Sequence, residues 1–123
     1  MRINPCGITK LAGEDWLWNE ASQEVTDNLM REIQSQGGSC ELRGSTIKAS
    51  EFPINDRTIP LNIQVYDREY APGEFVVLAR FSHNGVEHPV PIVDKVTTAE
   101  QIIRAIQKGF NALLSGRMPE RDR

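Results

Sequence analysis

One dipeptide, Asn84-Gly85, constrains this chain more than any other feature, because it stands between two runs of alternating residues. Phe75, Val77, Ala79, Phe81 and His83 alternate with Val76, Leu78, Arg80 and Ser82; after the dipeptide, Val86, His88, Val90 and Ile92 alternate again. A type I′ turn needs positive φ at both central residues, and Asn-Gly meets that need at least steric cost. The pair therefore predicts a two-residue hairpin, and with it a register: His83 opposite Val86, Phe81 opposite His88, Ala79 opposite Val90. Continued outward, the same register sets Leu78 opposite Pro91 and Val76 opposite Val93.

That register decides where the sheet stops. Hydrogen-bonded and non-bonded pairs alternate along an antiparallel ladder, so residues 86, 88 and 90 turn their backbone groups toward the partner strand. Pro89 and Pro91 fall on the alternate positions, where a missing N–H is harmless only if no further strand pairs there. The strand from Val86 to Ile92 is thus predicted to be a sheet edge closed by proline.

The remaining elements follow from periodicity. Trp18, Ala21, Val25, Leu29 and Ile33 recur at spacings of three and four, which predicts a helix from about Asp15 to Gln36, ended by Gly37-Gly38. Helical geometry would point Trp16 and Trp18 about 200° apart, with Trp18 in the core. A short strand is expected from Ser39 to Ala49, broken near Gly44, then a loop from Ser50 to Arg57 around Pro53 and Asn55-Asp56. Ile59, Leu61, Ile63 and Val65 alternate with Pro60, Asn62, Gln64 and Tyr66 as a half-buried strand, and Asp67 to Gly73 connects it to the hairpin. A last helix carries Ile102, Ile103, Ile106, Phe110, Leu113 and Leu114 on one stripe, with a capping box expected at Thr97 and Glu100 and Gly116 at its end.

Short connections in the order α-β-β-β-β-α predict an α+β fold: a two-layer, four-stranded antiparallel meander with an N-terminal and a C-terminal helix on one face. The 123 residues suffice for one domain spanning 1–123, with 1–13 irregular and 117–123 a frayed tail. No secretory segment or membrane-length apolar run is visible, and a cytoplasmic protein is expected.

Chemistry is sparse. Gly-rich phosphate loops, His-Glu-x-x-His, Cys-x-x-Cys and Gly-x-Ser-x-Gly are all missing, so no catalytic residue and no cofactor is assigned. Cys6, Cys40, His83 and His88 match no recurrent zinc spacing, and the two histidines are expected at the rim of the core. What stands out instead is an apolar outer sheet face: Tyr66, Val76, Leu78, Arg80, Pro89, Pro91 and Val93 share outward parity. A contiguous apolar patch of that kind marks an interface unless another part of the chain covers it. The expected function is a non-enzymatic protein-interaction module of adaptor, inhibitor, chaperone or immunity type, binding another protein or a second copy of itself through that face.

From Glu74 through Leu114 the order of strands and helix also resembles double-stranded-RNA-binding domains. That resemblance implies RNA binding through basic residues of the last helix, which here are Arg104 and Lys108. The start of that helix, Thr97 to Gln101, holds no base, and the net charge of −3 disfavours a dedicated nucleic-acid binder.

Overall fold

A computed structural model describes residues 16–116 of the chain; the irregular and frayed segments expected at 1–13 and 117–123 lie outside them. The chain begins there with β1 (Trp16–Leu17), followed by α1 (Glu20–Ser35), and then a run of five strands: β2 (Ser39–Arg43), β3 (Thr46–Ile54), β4 (Arg57–Arg68), β5 (Ala71–His83) and β6 (Val86–Val90). The last element is α2 (Ala99–Leu114). The five strands form an antiparallel meander in the order β2-β3-β4-β5-β6, and β1 adds to β4 beyond the start of β3. Both helices pack on one face, giving the two-layer α+β fold that the sequence predicts, with more strands than four.

The extra strand comes from turn chemistry. Gly44, at φ +64°, opens a two-residue loop that divides the expected Ser39–Ala49 strand into β2 and the start of β3. Asn55 and Asp56, at φ 51° and 64°, form a second turn with both central residues left-handed, so the segment expected to be a loop is the end of β3 and the start of β4. Pro53 is tolerated inside β3 because it pairs with Thr58 one step from this turn, where its nitrogen faces away from β4 and β2 has already ended. A bulge between Ala49 and Phe52 shifts the parity of β3. Ile47 and Ala49 face the core before the bulge, Phe52 and Ile54 after it, and the alternation is hidden for that reason.

The Asn84-Gly85 hairpin has the predicted register throughout: His83 opposite Val86, Phe81 opposite His88, Ala79 opposite Val90. With Asn84 at φ 55° and Gly85 at φ 77°, the turn supplies the two left-handed residues the argument needs. β6 is the sheet edge, as Pro89 requires. The continuation of the register fails, however. β6 ends at Val90, and the chain rejoins β5 only at Val96, whose carbonyl accepts from the Phe75 N–H at 3.0 Å. Leu78 and Val76 therefore do not face Pro91 and Val93.

At its start α1 differs from the helical reading. Asn19 caps it, accepting from the Ser22 N–H at 3.1 Å while Ser22 Oγ accepts from the Asn19 N–H at 2.7 Å. Trp16 and Trp18 precede this cap in extended chain, where residues two apart point the same way. The carboxylate of Asp67, buried on β4, ties the cap to the sheet: Oδ2 accepts from Asn19 Nδ2 at 3.2 Å and Oδ1 from the Gly73 N–H at 3.0 Å.

Leu29 and Ile33 from α1, Ile47, Phe52 and Ile63 from the sheet, and Ile102 and Ile106 from α2 are wholly enclosed between the layers. Each such side chain contributes about 1.5–3 kcal/mol of transfer free energy. The cap of α2 is displaced by one residue from expectation. Thr98 accepts from the Gln101 N–H at 3.2 Å, and Gln101 Oε1 reaches back to accept from the Thr97 N–H at 2.7 Å. Thr98-x-x-Gln101 has the same form as Thr97-x-x-Glu100, and the apolar stripe beginning at Ala99 selects the later pair. Midway along, Gly109 lets α2 touch the chain after β6; a methyl group there would collide with the Pro91 carbonyl. No helix among the described residues is long and apolar enough to cross a membrane.

Candidate functional site: the outer face of the sheet

Cross-strand register builds the face without helices in rows. One row reads Glu41, Lys48, Asn62, Arg80 and Pro89 across all five strands of the meander. The next reads Arg43, Thr46, Gln64 and Leu78, and the next pairs Tyr66 with Val76. The rows differ sharply in what covers them.

The Tyr66–Val76 row is closed. Tyr66 is 4% and Val76 9% exposed. The Trp16 ring stacks on Tyr66 with centroids 6.3 Å apart and an interplanar angle of 22°, and Trp18 meets the same ring edge-on at 6.3 Å and 73°. Gln64 Nε2 donates to the Tyr66 hydroxyl at 3.2 Å. The tyrosine expected to face a partner is therefore enclosed by the two tryptophans, which a strand-like spacing puts on one side where a helical spacing would separate them.

The Lys48–Asn62–Arg80 row is open. Lys48, Arg80 and Pro89 are exposed, and Asn62 and Leu78 are half-buried. Lys48, Ser50, Pro60, Asn62, Arg80 and Ser82 surround a shallow depression of about 380 Å³, with Glu41, opposite Lys48, at its rim. Among the described residues neither Lys48 nor Arg80 enters an ion pair, whereas Arg43 pairs with Glu41 at 3.0 Å, and Glu74 lies 3.9 Å from Arg68 and 3.6 Å from Lys95. Two strand spacings separate the two unpaired cations, about 10 Å.

Of the residues predicted to meet a partner, Leu78, Arg80 and Pro89 share this open region. Pro91 and Val93 do not. Pro91 is half-buried where its carbonyl abuts Gly109, and Val93, 43% exposed, borders a separate hollow beside Arg68 and Ile92. Lys48 and Asn62 join the site although the sequence reading did not select them. Their signal was the alternation Ile47-Lys48-Ala49 and Leu61-Asn62-Ile63, with the polar member outward.

The residues considered for other chemistry stand apart. Cys40 lies on β2, whereas His83 and His88 flank the β5–β6 turn with rings 6.3 Å apart. Cys6 lies outside the described residues, among which no group of three or more metal-ligating side chains is gathered. Burial raises the Cys40 thiol above its ordinary pKa, and its Sγ donates to the Met30 carbonyl at 3.7 Å. His88 stacks on Phe81 at 5.0 Å as a rim residue of the core. On α2, Arg104 is exposed, but Lys108 Nζ sits 3.3 Å from both carboxylate oxygens of Asp94. Of the pair implicated in RNA binding, Arg104 alone is without a carboxylate partner among the described residues.

No protein-family model, curated protein or solved structure matches this chain.

Proposed function

We propose that this chain is a non-enzymatic protein-interaction module of the cytoplasm, of adaptor, inhibitor, chaperone or immunity type, and that it receives an acidic protein surface on the open half of its outer sheet face. The observation that carries this reading is the row itself. Lys48 and Arg80 flank Asn62 at one register, exposed and without a carboxylate partner among the described residues, on a chain whose net charge is −3. Leu78 and Pro89 supply apolar contact beside them, and Asn62 offers both a donor and an acceptor to a partner backbone. Charge complementarity of this kind governs encounter and register more than it adds affinity.

A protein partner is favoured over single-stranded nucleic acid by the fate of the aromatics. Sheet surfaces that hold nucleic acid stack bases on exposed rings. Here Tyr66 and Trp18 are enclosed and Trp16, stacked on Tyr66, is half-buried, so none of these three rings of the outer face stands fully exposed.

The test is an amide NMR titration with a peptide of alternating glutamate and leucine, beside an oligouridylate of equal charge. Expected are peptide-induced shifts centred on Lys48, Asn62, Leu78 and Arg80, absent from the Lys48→Glu, Arg80→Glu double variant. Tighter binding of the oligouridylate would overturn the reading in favour of a nucleic-acid partner. Failure of both ligands to bind would overturn it outright.

A further inference from the structure

The two lateral edges of the sheet are finished differently. On β6, Pro89 occupies a position that lacks an N–H where one would face a further strand. β2 contains no proline. Arg43 and Thr46 flank the two-residue loop at Gly44 and form a hydrogen-bonded pair, as such loops require. Arg43 and Glu41 therefore spend their backbone groups on β3, and those of Cys40 and Leu42 point off the sheet. No described strand takes them up.

We infer that β2 pairs antiparallel with the β2 strand of a second copy of this chain, about a two-fold axis beside Leu42. The side chains select both the partner and the register. With the axis at Leu42, the outward backbone groups of Leu42 meet those of its counterpart. Glu41 falls opposite the Arg43 of the other copy, and symmetry repeats that charge pair. Leu42, 39% exposed on the helix side of the sheet, covers its own counterpart. Moving the axis one residue to Glu41 sets two carboxylates face to face, which is destabilising. Within one chain Glu41 and Arg43 already pair along the strand at 3.0 Å, with both side chains more than half exposed, so they exchange partners across the axis at little cost.

α1 extends the contact. It runs over β2, with the Met30 carbonyl and Gln34 both touching the Cys40 thiol, so the two copies of α1 approach each other on the inner face. The strand edge is only five residues long. Five edge residues a side are far fewer than the ~20–30 of a standard stable interface, so the dimer is weak and reversible. Glu41 neighbours Lys48 in the outer row, but neither Lys48 nor Arg80 takes part in the pairing, so this contact is argued and tested separately from the proposed function.

Sedimentation equilibrium of the full chain, from about 1 μM to about 1 mM, tests it. Expected is a reversible monomer–dimer equilibrium, weakened about tenfold or more by Arg43→Glu or by Glu41→Arg, since each change puts like charges opposite one another twice. The Glu41→Arg, Arg43→Glu double variant restores opposite charges across the axis, and dimerisation returns to within about threefold of the original. Leu42→Pro removes an outward N–H that β3 does not use, and abolishes the dimer. A chain that stays monomeric throughout overturns the inference. So does a dimer indifferent to the single reversals, or one that the double variant fails to restore.

Discussion

Asp67→Ala measures how firmly the start of α1 is joined to the sheet. The carboxylate is 4% exposed and accepts two hydrogen bonds, from Asn19 Nδ2 at 3.2 Å and from the Gly73 N–H at 3.0 Å. Hydrogen bonds to a charged group contribute about 1.5–3 kcal/mol each, and a donor left unsatisfied costs about 1–3 kcal/mol when it is buried. Gly73 is exposed and regains water, whereas Asn19 is half-buried and regains it only in part. The net loss is therefore about 2–4 kcal/mol, a large share of the ~5–15 kcal/mol typical of a domain. Urea unfolding followed by tryptophan emission is the assay, since Trp16 and Trp18 lie next to the affected corner. Asp67→Asn keeps the acceptor for Gly73 but turns an amide donor toward Asn19, so it should fall between the two. Adding Asn19→Asp gives that amide an acceptor and keeps a capping oxygen for Ser22, and the pair should show a favourable coupling of about 1 kcal/mol in a double-mutant cycle. A loss below about 0.5 kcal/mol for Asp67→Ala would refute the reasoning.

Two further substitutions separate packing from surface. Gly109→Ala would gain about 1 kcal/mol from helix propensity at an open position; here the methyl group meets the Pro91 carbonyl, and a net loss of about 1–3 kcal/mol is expected in the same unfolding assay. Leu78→Asp, on the open half of the outer face, should cost about 1 kcal/mol or less, whereas Val76→Asp, beneath the closed half, should cost at least about 3 kcal/mol; equal costs would mean the two halves are covered alike.

Much of the architecture was legible because local chemistry and packing agreed. The Asn84-Gly85 turn set its register by itself, and Pro89 beyond it marked the edge through its missing N–H. The apolar stripe of α2 located that helix, although two threonines competed for its cap. The rest was hidden by ambiguity of period. Trp18 fits the amphipathic stripe of α1 and Trp16 falls away from it until Asn19 is seen to cap the helix after them, and only then does the spacing of two bring both rings onto Tyr66. The bulge after Ala49 erased the alternation of β3, so a strand passed for a loop. The outer face was half legible for the same reason. Parity identified Leu78, Arg80 and Pro89, but the end of β6 at Val90 and the tryptophans over Tyr66 depend on tertiary contacts that parity does not encode.

The most direct measurement compares affinity for one glutamate- and leucine-rich peptide between the unaltered chain and its Lys48→Glu, Arg80→Glu double variant at low ionic strength. Removal and reversal of two unpaired cations about 10 Å apart should weaken binding at least about tenfold, with the difference shrinking as salt is added. Equal affinities for the two proteins would contradict the assignment of the open sheet face as the binding surface.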